Sequence, residues 1–376
     1  MYPKTSFIVF FCSLIFLSSC GNIDKDVSEN SFEINYLDEY VIYNDTIFRN
    51  SKIGGLSDIE YIQEKNQYYI VCDDTKNNRY YKASIRIENK LIDTVSIDKQ
   101  ILLKDKNNQF LSTNILDLEA IRSFGKNQLI LTSEGSIEND YNPAIFITDS
   151  NGNYQNQLTL PSYFLLDTSS KNQPRHNGVF EGLAKDTEKE GYWAAMELPL
   201  ELDGEEPSYQ KPGAPVRITH FNSSTGEADY QFTYPLDKLA KNPKEKFAIN
   251  GVTTLLQLSE KQFLIVERGY VDGYGTQGNT VRIYLCTIAE ATNTLYIDSL
   301  MSKDYQAATK HLLFDFESVR DQLTNQIIDN IEGITFGPIL ANGNQSLLLI
   351  SDNNFNPVSK QINQLILLEL SKKPSL

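Results

Sequence analysis

The chain has 376 residues, 40% of them hydrophobic, and a formal charge of −15. That is enough apolar material for one large domain, and the 21 Tyr and 19 Phe favour strands over helices. The acidic balance has no basic tract to offset it, which excludes nucleic acid as a partner.

In chain order, Lys4 precedes FIVFFCSLIFL, an apolar run of 11 residues. Such a run is too short to span a bilayer and reads as the core of a signal peptide. Leu17-Ser18-Ser19-Cys20 follows, with the small residues and cysteine of a bacterial lipobox. The expectation is that residues 1–19 are removed and that Cys20 carries lipid. Residues 20–35 then form a polar tether, and residues 36–372 form a single domain. This implies a protein of the bacterial cell envelope, on the outer-membrane or periplasmic side, that touches the membrane only through its lipid. A monomer is expected.

Beyond the tether the chain is a series of strand-length apolar runs, such as QYYIVCD, QLILTSE, QFLIVER and SLLLISD, separated by Asn, Asp, Gly and Lys. The best helical candidate is residues 303–325. Cys72 and Cys286 sit in strand-like runs and read as buried single thiols, with pairing in an oxidising periplasm as the alternative. No cysteine pair has zinc spacing.

Five segments repeat: SDIEYI then YYIVCD, LDLEAI then LILTSE, GVFEGL then WAAME, FAINGV then FLIVER, and DNIEGI then LLLISD. Each has an acid or amide near Ile, Leu or Val, a turn, an apolar strand and a closing acid. The first positions are Glu60, Glu119, Glu181, Asn250 and Glu332, spaced by 59, 62, 69 and 82 residues. The closing acids are Asp73, Glu134, Glu197, Glu267 and Asp352. Regular short strands with a long repeat indicate an all-β propeller. The last step has room for an extra blade, so six blades with short helical insertions are expected, with five or seven as the alternatives.

A hairpin brings its two ends together, so each pair of acids should meet at one end of its blade, and propeller symmetry should bring the pairs to one axis. Two carboxylates about 4 Å apart repel by roughly 4 kcal/mol at an effective dielectric near 20. Protons, basic partners or a cation must offset this, and an all-oxygen site suits calcium better than zinc. Arg175, Arg217, Arg268 and Arg282 are the local arginines.

Residues from about 50 to 370 resemble the bacterial domain family named for an "esterase-like activity of phytase". The resemblance rests on GGLSDIEYI (54–62), DLEAI (117–121), NGVFEGLA (177–184), APVRITHF (214–221), LIVERG (264–269), NIEGITFGP (330–338) and SDNNF (351–355). It implies a propeller in a secreted or lipid-anchored protein with a hydrolytic activity on phosphate esters such as phytate; a small phosphate or carboxylate ester is the expected partner. Asn250 departs from the pattern by replacing the repeat's Glu. By analogy with calcium-dependent propeller phytases, Glu60, Glu119, Glu181, Glu332 and Asp352 are the metal candidates. Glu134, Glu197 or Glu267 would orient a water, Arg268 would contact phosphate, and Arg175, His176 and Asn353 would bind substrate. The competing expectation is a non-catalytic propeller that binds a glycan, peptide or partner protein.

Two motifs point nowhere. Gly273 to Gly278 matches GxGxxG, but a strand follows where dinucleotide binding needs a helix, so it reads as a hairpin loop near the site. Asp149 to Asn153 starts like a calcium loop, but Gly152 is at position four, so it reads as a turn. No GxSxG elbow is present, which weakens a serine-esterase reading. Trp193 reads as core.

Overall fold

The computed structural model describes residues 32–111, 115–166, 170–356 and 361–373. The expected signal peptide, Cys20 and most of the expected tether lie outside them. Phe32–Asn35, expected to end the tether, already belong to a strand.

Five four-stranded antiparallel sheets form the blades. Blade 1 runs Asp58–Ile62, Gln67–Cys72, Arg79–Glu88 and Leu91–Leu102 from the inner to the outer strand. Blade 2 is Leu118–Phe124, Gln128–Ser133, Ala144–Asp149 and Tyr154–Gln157. Blade 3 is Phe180–Lys185, Gly191–Met196, Val216–Asn222 and Ala228–Tyr234. Blade 4 is Ala248–Ser259, Gln262–Val271, Asn279–Thr287 and Thr309–Asp315. Blade 5 is Asn330–Ile339, Gln345–Asp352 and Asn363–Lys372, completed on its outer edge by the N-terminal strand Phe32–Ile42. The inner strands touch their neighbours around a closed ring, so radial repetition leaves no long bare edge at the axis.

The blade number is therefore five, not six. The long step before the last repeat is filled by two other things. Residues 288–308 leave blade 4 and return against blade 3, where Thr294 N and Ala308 N donate to Gln231 O and Thr233 O, each at 2.9 Å. After the outer strand, Phe316–Gln322 and Thr324–Gln326 form short 3₁₀ turns. The expected helix over 303–325 is thus a strand followed by 3₁₀ turns. Its aromatic and β-branched residues take the outer edge of the blade, where Phe314 and Phe316 join the apolar layer between blades 4 and 5.

The core consists of such layers between neighbouring blades. Trp193 is buried in the layer between blades 3 and 4, 5.1 Å from Phe263 between ring centroids, as expected. Cys72 and Cys286 are buried free thiols. No described helix is long and apolar enough to cross a membrane.

Strand polarity sorts the connections into two ends. Tight turns such as Gly125–Asn127 and Asn89–Lys90 lie at one end, and the long loops lie at the other. The acids of the repeat gather at the loop end.

Candidate functional site

Strand register decides which side chains reach the axis. In blades 2 to 5 the inner strand slips against its neighbour near its start, between Leu118 and Ile121, Phe180 and Gly182, Val252 and Thr254, and Ile331 and Gly333. A bulge of this kind re-aims the extra residue. Those residues are Glu119, Glu181, Thr253 and Glu332. Blade 1 has no bulge. There Asp73 N donates to Gly55 O at 2.9 Å, as Glu134 N does to Asp117 O at 3.0 Å and Glu197 N to Val179 O at 2.7 Å. These matching bonds make Ser57 the blade 1 counterpart of Glu119. In blade 4, Val252 pairs with Glu267 as Phe180 pairs with Met196, so Arg268 stands where the other blades have a closing acid.

The axial set is therefore Ser57, Glu119, Glu181, Thr253 and Glu332, facing Asp73, Glu134, Glu197, Arg268 and Asp352. A cavity of about 640 Å³ is lined by Asp73, Asp117, Glu119, Glu181, Arg268, Glu332 and Asp352. A side branch of about 190 Å³ shares Asp117 with it and adds Glu134 and His176. Arg268 is the one arginine or lysine among the described lining residues of both. Its Nη2 lies 3.4 Å from Glu197 and 3.2 Å from Glu332.

One guanidinium cannot balance so many carboxylates. Burial raises Glu197 to about 7, with Arg268 pulling it back down. Burial likewise raises Glu332 to about 8 against the pull of Arg268, and it raises Glu134 to about 8 with help from Glu197. Glu119 goes well above the ordinary range through burial and then repulsion from Glu181, and Glu181 does so through burial and then repulsion from Glu197. Asp73 and Asp352 rise for the same reasons and hydrogen-bond to each other. Glu197 is only 1% exposed, and neither of its carboxylate oxygens has a hydrogen-bond partner. A buried charge in that state is costly unless a proton or cation joins it. Oxygens of Asp117, Glu119 and Glu134 all lie within 4.8 Å of one another.

Below the acids, Arg122 on the inner strand of blade 2 ties three blades together. It pairs with Asp58 of blade 1 and donates from Nη2 to Ile334 O of blade 5 at 3.0 Å.

The expected site residues divide. Glu119, Glu134, Glu181, Glu197, Arg268, Glu332 and Asp352 converge. Glu60 does not: it accepts from Ser123 N at 3.1 Å and Ser123 Oγ at 2.9 Å, beside Arg122. Glu267 points to the other face of its strand, where Tyr234 Oη donates at 2.7 Å, Asn250 Nδ2 at 2.9 Å, and Lys310 pairs with it. Arg175 holds a loop, donating to Pro199 O at 3.0 Å and Gly204 O at 2.8 Å. Asn353 is also a structural clasp: its Oδ1 accepts from Gly55 N at 3.2 Å and Phe355 N at 3.1 Å. His176 borders the side branch and lies 3.8 Å from Glu138. The loop Gly273–Gly278 borders the main cavity through Gly275 and Thr276, and residues 149–153 form a turn on the Asp149 carboxylate.

Sequence reasoning missed Asp117, Asp329, Phe247, Tyr270 and Asn279, all of which line the main cavity. Asp117 had a signal, since it directly precedes the Leu-Glu of its repeat.

The molecule is thus a five-bladed propeller with an acid-lined axial cavity. It belongs to the phytase-like family described as "esterase-like activity of phytase", whose model matches residues 51–355. No curated protein matches the chain. Among solved structures, it is similar to an endo-arabinase from Bacteroides thetaiotaomicron at 10% identity and TM-score 0.43, covering 84% of this chain and 93% of that one. A luciferin-regenerating enzyme is similar at 10% identity and TM-score 0.36, covering 86% and 95%. Likenesses this distant carry no chemistry across.

Proposed function

We propose that the chain is a calcium-assisted phosphoesterase of the bacterial cell envelope. The observation that supports it most is the buried Glu197 carboxylate, with neither oxygen hydrogen-bonded and its ion-pair partner Arg268 shared with Glu332, beside a carboxylate-rich cavity with a single arginine. The donor set is all oxygen, which fits a hard divalent cation. Asp117, Glu119 and Glu134 would hold it. A calcium ion bound there would polarise a phosphoryl oxygen and acidify a coordinated water.

The chain's own groups supply the rest. Arg268 gives a phosphate oxygen a charged donor in a largely buried setting. Glu332, raised to about 8, carries a proton near neutral pH at the cavity wall, with Glu197, raised to about 7, buried behind Arg268. The lipobox of residues 17–20 supports attachment through Cys20; loss of Cys20→Ser protein from the membrane fraction would test that part.

The hydrolase test is turnover of p-nitrophenyl phosphate by the purified protein. Chelator should abolish it and calcium restore it. Glu134→Gln should weaken calcium binding, read by calorimetry, by at least about tenfold. Turnover indifferent to chelator, or no calcium binding by the unaltered protein, overturns the reading.

A further inference from the structure

The blade 4 wall of the cavity carries features that the acids do not explain. On the strand Gln262–Val271, successive side chains alternate between faces. Arg268 and Tyr270 therefore share the cavity face, while Glu267 turns away to Lys310. Two residues along a strand place Tyr270 about 7 Å from Arg268, toward the mouth. Phe247 stands beside Tyr270 with ring centroids 6.1 Å apart, and it is 56% exposed although it lines the cavity.

The Tyr270 ring is fixed from two sides. Its hydroxyl donates to Asp272 at 3.0 Å. Gly278 packs against it so closely that a Cβ there would lie 2.8 Å from Cε2. Directly across the strand pair is Asn279. Its side chain is 8% exposed and lines the cavity, and its Oδ1 is buried without a hydrogen-bond partner. A buried acceptor left unmade costs about 1–3 kcal/mol. It calls for a donor from whatever fills the cavity.

We infer that Phe247, Tyr270 and Asn279 form a saccharide subsite, and that the ester acted on is a sugar monophosphate. This rests on the phosphoesterase reading for the phosphate end. The apolar face of a pyranose ring stacks on the aromatic pair, and a ring hydroxyl donates to Asn279 Oδ1. The phosphate lies about one ring width deeper, on Arg268. Charge sets the phosphate number. A ring bearing many phosphates would turn most of them toward Asp73, Asp329, Glu332 and Asp352, whose negative charge grows as pH rises and which the single arginine cannot offset. A neutral sugar with one phosphate avoids that repulsion.

The test compares glucose 6-phosphate with glycerol 3-phosphate, two monoesters of equal charge, in the presence of calcium. The intact protein should favour glucose 6-phosphate by at least about tenfold in KM and in calorimetric Kd. Phe247→Ala and Asn279→Leu should each remove most of that preference, read as the ratio between the two esters in KM and in Kd. Phe247 is exposed, so its variant should fold even if Asn279→Leu does not. Equal affinity for the two esters, or a preference that survives Phe247→Ala, overturns the subsite. Turnover of both esters without preference leaves the hydrolase standing and sinks the subsite. Phe247-dependent binding of glucose 6-phosphate without any turnover does the reverse.

Discussion

Replacing Arg268 with Met tests the charge balance at the axis. The side chain is buried, and its loss leaves Glu197 and Glu332 without their shared counter-charge. The cost depends on pH. Both glutamates have folded values above their ordinary 4.5, at about 7 and about 8. The folded state therefore binds more protons than the unfolded state between those limits, and stability falls as pH rises through that window. At pH 5 both carboxyls are already protonated in the folded protein, so Arg268 has little charge to balance there, and Met in its place is neutral or mildly stabilising. At pH 8.5 the variant can at worst protonate each glutamate. That caps the loss at about 2 kcal/mol for Glu197 and less than about 1 kcal/mol for Glu332, at 1.36 kcal/mol per pH unit. Urea unfolding in chelator should show almost no difference at pH 5 and a loss of roughly 2–3 kcal/mol at pH 8.5. A loss that is the same at both pH values, or larger at pH 5, would refute this account.

Three further outcomes follow from the same geometry. The melting temperature of the metal-free protein should fall as pH rises from about 5 to about 8.5, because the raised acids Glu134, Glu197 and Glu332 must ionise in the folded state; saturating calcium should flatten that slope, and a slope unchanged by calcium counts against a site there. Glu60→Gln and Glu267→Gln should leave calcium affinity within about twofold, since each acid has its own partners away from the cavity; calorimetry reads this, and a tenfold loss in either variant contradicts the register argument. Asn353→Ala should destabilise by about 1–3 kcal/mol, because it strands the Gly55 and Phe355 N–H groups; denaturant midpoints check it, and phosphate affinity should not change.

Much of this was legible in the sequence. The repeat of Glu, apolar strand and closing acid marked all five inner hairpins, and convergence on one axis follows from radial symmetry. Two blades were misread by three residues. DIEYI and AINGV carry a polar residue where the motif wants one, but bulges are invisible in a residue pattern. Only the register shows that Ser57 and Thr253, not Glu60 and Asn250, occupy the ring. The same slip moves Arg268 rather than Glu267 into the closing position, which changes the sign of the charge there. The sixth blade failed for another reason. Length alone cannot tell a blade from an excursion such as residues 288–308, whose backbone bonds go to blade 3. The cavity wall formed by Phe247 and Asn279 had no motif at all, since Phe247 directly precedes the inner strand of blade 4 and Asn279 opens its third strand, and only the pairing within that sheet brings them together.

The outer strand of the last sheet begins at Phe32, opposite Lys372, and ends at Ile42, opposite Asn363. Asn363 lies level with the acids, so Phe32 emerges at the far end of the barrel-like ring, among the tight turns. Eleven residues separate it from Cys20, a leash of at most about 40 Å. An acyl chain on that cysteine would seat the turn-rich end against the bilayer and leave the mouth looking outward into the aqueous phase. Fluorescence quenching by a bilayer-surface dye, from probes on Lys126 and on Thr276, would read that posture, and stronger quenching at Thr276 would rule it out.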